Sequence, residues 1–184
     1  MTDREIDAGM LRCLRLAREA VFSGNYGLGA VVIRDGAVLG ESGSGLVQGH
    51  DPTAHPEVQA IRRAAERVGS RYLAGAFLLT TLEPCPMCTA AAIWAKTRGI
   101  AFGATQEDAR SWASEHPDET FTWRQIDLRA RDVVRAGRPR LEVREGSAGT
   151  NAWNSSPSPP GRLPGRPRWA ARRGAAEAGG SGKT

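Results

Sequence analysis

This sequence predicts an α/β layered fold, on three observations. Helical and strand-like segments alternate along the chain, their apolar spacing switches between the two periods, and an Asp-Gly pair separates two short β-prone runs. Ile6, Met10, Cys13, Leu14, Ala17, Ala20 and Val21 recur at helical spacing, so an amphipathic helix is expected over 4–23. Residues 29–34 and 37–39 flank Asp35-Gly36, a pair that tolerates the positive φ of a two-residue hairpin turn. A polar loop is expected over 40–54. Pro56 suits a first helical position, and Val58, Ile61, Ala64 and Ala65 continue a second helix to about residue 67. Residues 77–80 read as a buried strand, 81–84 as a turn, 86–96 as a third helix and 100–102 as a further strand. Beyond 105 the pattern weakens to short helices near 107–113 and 128–136, then a last strand at 141–143.

The 184 residues divide by composition. Residues 1–145 form one domain of ordinary size, and 146–184 form a Gly/Pro/Ser-rich tail. The net charge of +5 lies wholly in that tail, where Arg162, Arg166, Arg168, Arg172, Arg173 and Lys183 face only Glu177. The domain itself is neutral, without the clustered bases of a nucleic-acid face. With 8 Gly, 5 Pro and 5 Ser in 39 residues, the tail is expected to be disordered, since it holds too little apolar surface to offset ordering. No run nears the roughly 20 apolar residues of a membrane span. The start, MTDREIDAGM, carries acids early and lacks the apolar stretch of a signal peptide. Three cysteines, two of them close together, do not make a disulfide framework, so a cytoplasmic setting is expected.

The chemistry concentrates in two short segments, His55-x-Glu57 and Pro84-Cys85-x-x-Cys88. Catalytic zinc takes three His, Cys or carboxylate ligands and keeps one position open for water. His55, Cys85 and Cys88 supply that inventory, and Glu57 is left over as a general acid/base rather than a ligand. Both segments are expected at helix starts, where the helix dipole favours thiolate over thiol. A redox Cys-x-x-Cys pair would leave His55-x-Glu57 unexplained, and a structural zinc site would need a fourth ligand, for which His50 is the near candidate. Cys13 lies on an apolar helix stripe and reads as core. His50 and His116 read as surface or capping groups.

The segments Asp51-Pro-Thr-Ala-His55-Pro-Glu57-Val-Gln-Ala-Ile61 and Thr81-Leu-Glu-Pro-Cys85-Pro-Met-Cys88 resemble the cytidine deaminase-like superfamily, over about residues 5–143. Within it they resemble the guanine deaminase and tRNA adenosine deaminase branches. The resemblance implies a three-layer α/β/α sandwich around a central five-stranded mixed sheet, an active-site zinc and a homodimer. Ala90-Ala-Ala-Ile-Trp94-Ala, and Pro117-Asp-Glu-Thr-Phe121 followed by Gln125-Ile-Asp127, point to the guanine deaminase branch, with Trp94 and Glu119 lining the substrate pocket. Two positions depart from that pattern. Ser44 stands where the family often has an Asn that reaches a ring nitrogen. Pro56 stands where it often has an Ala whose N–H meets a substrate acceptor, and proline has no N–H to give.

The expected activity is hydrolytic deamination of a nucleobase or nucleoside, a free purine such as guanine first. Editing of adenosine in tRNA, and deamination of cytosine or a triazine, are the alternatives. A non-catalytic zinc scaffold is the reading from a different class, and it has no use for Glu57. A small molecule, not nucleic acid or a membrane, is the expected partner.

Overall fold

The computed structural model describes residues 1–47, 49–115 and 126–146. A five-stranded sheet in the order β2-β1-β3-β4-β5 forms the middle layer. Strands β1 (Gly29–Arg34), β2 (Ala37–Gly43), β3 (Phe77–Leu82), β4 (Gly99–Ala104) and β5 (Glu142–Glu145) make a mixed sheet. β1 runs antiparallel to both β2 and β3, whereas β3, β4 and β5 are mutually parallel.

Helix α1 (Asp3–Phe22) starts with a capping box between Thr2 and Glu5 and lays Ile6, Met10, Cys13 and Leu16 on one face of the sheet. Val31, Ile33, Phe77, Leu79 and Ala101 meet them there. The other face carries Val32, Leu78, Ile100 and Phe102, covered by α2 (Pro56–Val68), α3 (Pro86–Trp94) and α5 (Ala130–Ala136). Three layers result, as expected, and burial of each large core side chain contributes about 1.5–3 kcal/mol. The close approach of α2 to the sheet edge is set by Gly40: a Cβ there would lie 2.3 Å from the Ala60 carbonyl oxygen, so α2 can rest on β2 only over a glycine.

Asp35 and Gly36 have φ of 51° and 74°, the hairpin turn their identities predict. Several element boundaries differ from the expectation. β2 continues to Gly43 inside the expected loop, because Glu41 and Ser42 pair with Val31 and Ala30 although their polarity hides the strand. β3 runs to Leu82 rather than stopping at Thr80, since Leu82 pairs with Ala104. α3 ends at Trp94, two residues early, with Lys96 at a φ of 53° behind it. α4 (Gln106–Glu115) is longer at both ends than the segment expected near 107–113. The expected disorder of the tail and the readings of His116 and Glu119 lie outside the described residues.

Candidate active site

The parallel strands β3 and β4 end on the same edge of the sheet, where α/β folds gather their ligands. His55 is the N-cap of α2, and Cys85 is the N-cap of α3, with a proline as the first residue of each helix. Neither side chain makes the usual capping hydrogen bond to its helix, and the two face each other. The turn before His55 is held by Asp51, whose Oδ1 accepts from the Thr53 N–H and hydroxyl at 2.7 Å each, and the His55 N–H donates to the Thr53 carbonyl at 2.7 Å.

The three ligand atoms form a compact triangle. Cys85 Sγ lies 3.7 Å from His55 Nδ1 and 3.5 Å from Cys88 Sγ, and all three atoms lie within 4.8 Å of one another. A tetrahedral zinc with ordinary bond lengths separates two sulfurs by about 3.8 Å and a sulfur from a nitrogen by about 3.6 Å. The donor set therefore fits zinc in both chemistry and spacing. Among the described residues no fourth His, Cys, Asp or Glu joins the group, and exposed His50, in a turn with φ of 49°, stays outside it. Three ligands with one open position is the catalytic pattern, not the structural one.

Glu57, the second residue of α2, is buried against this triangle. Its Oε1 accepts from the Thr80 hydroxyl at 2.8 Å, and its Oε2 lies 3.4 Å from Cys88 Sγ. Burial raises its carboxyl above the ordinary range, opposed by its own backbone N–H, the His55 charge and the Thr80 hydrogen bond. The two sulfurs are in hydrogen-bond contact, which draws the Cys85 thiol down to about 4 and, with burial, holds Cys88 up. A metal ligand must be a thiolate, so filling the site displaces the thiol protons. His55 is held more basic by its contact with Cys85.

Of the expected substrate contacts, the structure brings two to this edge. Pro56 is fully buried as the first residue of α2, between His55 and Glu57. Ser44 follows β2; the Gly45 N–H donates to the Ala54 carbonyl at 3.4 Å, which sets Ser44 beside the turn into His55. Its hydroxyl is buried without a hydrogen-bond partner among the described residues. Trp94 is not brought to the cluster within the chain. It ends α3, about 9 Å along the helix axis from Cys88, and is 81% exposed.

Two residues escaped the sequence reading. Thr80 is concealed in an apolar strand, and its signal is the strand period that sets it on the α2 face with Leu78 and Leu82. Glu83 lies inside the quoted motif; with 1% of its side chain exposed, it accepts from Arg129 Nε at 2.8 Å and from the Gln106 and Ala130 backbone N–H groups at 3.0 and 2.9 Å. Its signal is a lone acid in the run Leu82-Glu-Pro-Cys85.

Fold and site together define a zinc-dependent hydrolase that acts on C–N bonds, with a buried carboxylate beside a His, Cys and Cys group that could hold the metal. Residues 3–104 match the cytidine and deoxycytidylate deaminase zinc-binding region, and the chain belongs to that family. Zinc is its cofactor. The chain is 38% identical over 122 residues to the guanine deaminase of Bacillus subtilis (strain 168), covering 66% of this chain and 76% of that protein. It is 41% identical over 99 residues to the tRNA-specific adenosine deaminase of Agrobacterium fabrum (strain C58 / ATCC 33970), covering 54% of this chain and 64% of that one. A solved structure from a study of A-to-I editing by tRNA:A34 deaminases superposes with a TM-score of 0.61 at 30% identity, covering 76% of this chain and 97% of that chain.

Proposed function

We propose that the protein deaminates a small aminated ring, a free purine base such as guanine first, with zinc held by His55, Cys85 and Cys88 and protons carried by Glu57. The observation that carries this reading is the triangle of ligand atoms closed against one buried carboxylate. Zinc, when bound, supplies the positive charge that makes water nucleophilic at neutral pH. Glu57 takes a proton from the attacking water as its oxygen bonds to the ring carbon bearing the amino group. It returns that proton to the ring nitrogen, takes the second from the new hydroxyl and gives it to the departing amine. Ammonia leaves and a carbonyl remains, so one water is consumed for each ammonia released.

The guanine deaminase likeness supports the purine, and the neutral charge of 1–145 favours a small substrate over tRNA. Ser44, Pro56, Trp94 and Glu119 are the proposed substrate contacts. Trp94, exposed within one chain, is the reason to include a homodimer in the reading. Among the described residues no helix is long and apolar enough to cross a membrane. A cytoplasmic setting suits three free cysteines.

Adenosine editing in tRNA is the second reading, supported by the likeness to tRNA-specific adenosine deaminases. Ammonia release measured on guanine, cytosine, adenosine, a triazine and tRNA separates the two. Turnover of a free base and none of tRNA is expected; turnover of tRNA alone would replace the first reading with the second.

A further inference from the structure

We propose that Thr80 is the positioning residue that aims Glu57, a role that rests on the reading of Glu57 as the proton carrier. All six residues of β3 are buried, and Thr80 is 0% exposed. On its face of the strand the neighbours are Leu78 and Leu82, and its partners in the adjoining strands are Ala30 and Phe102. A hydroxyl in such a layer must find an acceptor, whereas a methyl of the same size would need none. Among the described residues its acceptor is Glu57 Oε1, at 2.8 Å.

That bond divides the carboxylate into two unlike oxygens. Oε1 is anchored to the central strand of the sheet, which lies between β1 and β4 and has little freedom to move. Oε2 is turned toward the metal ligands, 3.4 Å from Cys88 Sγ. Anchoring one oxygen fixes the plane of the carboxylate and the direction of the other, the kind of preorganisation that proton transfer needs. Thr80 lies outside the candidate ligand group and acts through Glu57.

The test compares Thr80→Val, which keeps the volume and removes the hydroxyl, with Thr80→Ser, which keeps the hydroxyl and removes a methyl. Zinc content, Tm, kcat and KM on the best substrate, and the crystal structure of each variant are measured beside Glu57→Gln. For Thr80→Val the expected result is a kcat lower by about tenfold to hundredfold with KM within about twofold. Its zinc content should equal that of the wild type, and its Glu57 carboxylate should be rotated in the crystal. Thr80→Ser should restore kcat to within about threefold and return the carboxylate to its place. An unchanged kcat in Thr80→Val, with Glu57→Gln inactive, overturns the proposal alone. Equal losses in the Val and Ser variants overturn it too, because volume and not the hydroxyl would then matter. An active Glu57→Gln enzyme overturns both the proton-carrier reading and this one.

Discussion

Glu83 and Arg129 form an ion pair at 2.8 Å in which the carboxylate is sealed from solvent and the guanidinium lies at its rim. The pair joins the strand end that leads into Cys85 to the first turn of α5, and the same carboxylate receives the opening N–H of α4. One acid thus satisfies two helix starts whose amides have no partner of their own. Arg129 is held more firmly protonated by this contact.

Glu83→Ala should therefore destabilise the protein by about 1–3 kcal/mol, because two buried helix-start N–H groups lose their acceptor while Arg129 at the rim can turn to water. Glu83→Gln keeps one acceptor and should lose less. Urea unfolding of both variants checks this. A loss under about 1 kcal/mol for Glu83→Ala would mean that the helix starts find other acceptors.

Zinc should be present at about one ion per chain, and Cys85→Ser or His55→Ala should lower its occupancy severely, because three ligands are the minimum for this kind of site. Chelation should lower the Tm of the wild type, since whatever binds only the folded state stabilises it. Full zinc by elemental analysis in a Cys85→Ser, Cys88→Ser double variant would refute the ligand set.

Pro56 separates recognition from chemistry. As the first residue of α2 it costs the helix nothing, since that N–H has no partner within the helix. It does leave the pocket one donor short beside Glu57. A substrate carbonyl facing it forgoes a hydrogen bond worth about 0.5–1.5 kcal/mol, more if it stays buried and unpaired. Pro56→Ala should raise kcat/KM on guanine or cytosine relative to the native substrate. Unchanged ratios, with guanine already the best substrate, would show that Pro56 only starts a helix.

Removing 147–184 should leave Tm and turnover of a free base unchanged, since the four residues assigned to the chemistry all precede it and the removed segment is poor in aliphatic side chains. Thermal unfolding and ammonia release of a chain ending at Gly146 check this. A loss of either would show that the tail contributes contacts, Trp153 being its first large apolar side chain.

The legible parts of this protein were those encoded locally. Asp35-Gly36 announces its turn, Pro56 and Pro86 announce helix starts, and the stripe from Ile6 to Ala20 announces α1. The candidate ligand group, which the structure brings together, was legible because its spacing is chemistry, not packing. What stayed hidden depends on partners far along the chain. The polar run Glu41-Ser-Gly43 is a strand only because β1 lies beside it. Glu83 meets Arg129 across 46 positions, and Thr80 meets Glu57 across 23, separations at which no periodicity carries information. Trp94 was assigned to the substrate pocket by resemblance alone; it ends the helix that Cys85 and Cys88 begin, and it is exposed.

The most direct test is steady-state ammonia release from guanine by wild-type protein and Glu57→Gln at matched zinc content. Measurable turnover by the wild type, lower in Glu57→Gln by about 10²- to 10⁴-fold with fold and metal intact, is the predicted result. Equal turnover by the two proteins would contradict the assignment of Glu57 as the proton carrier.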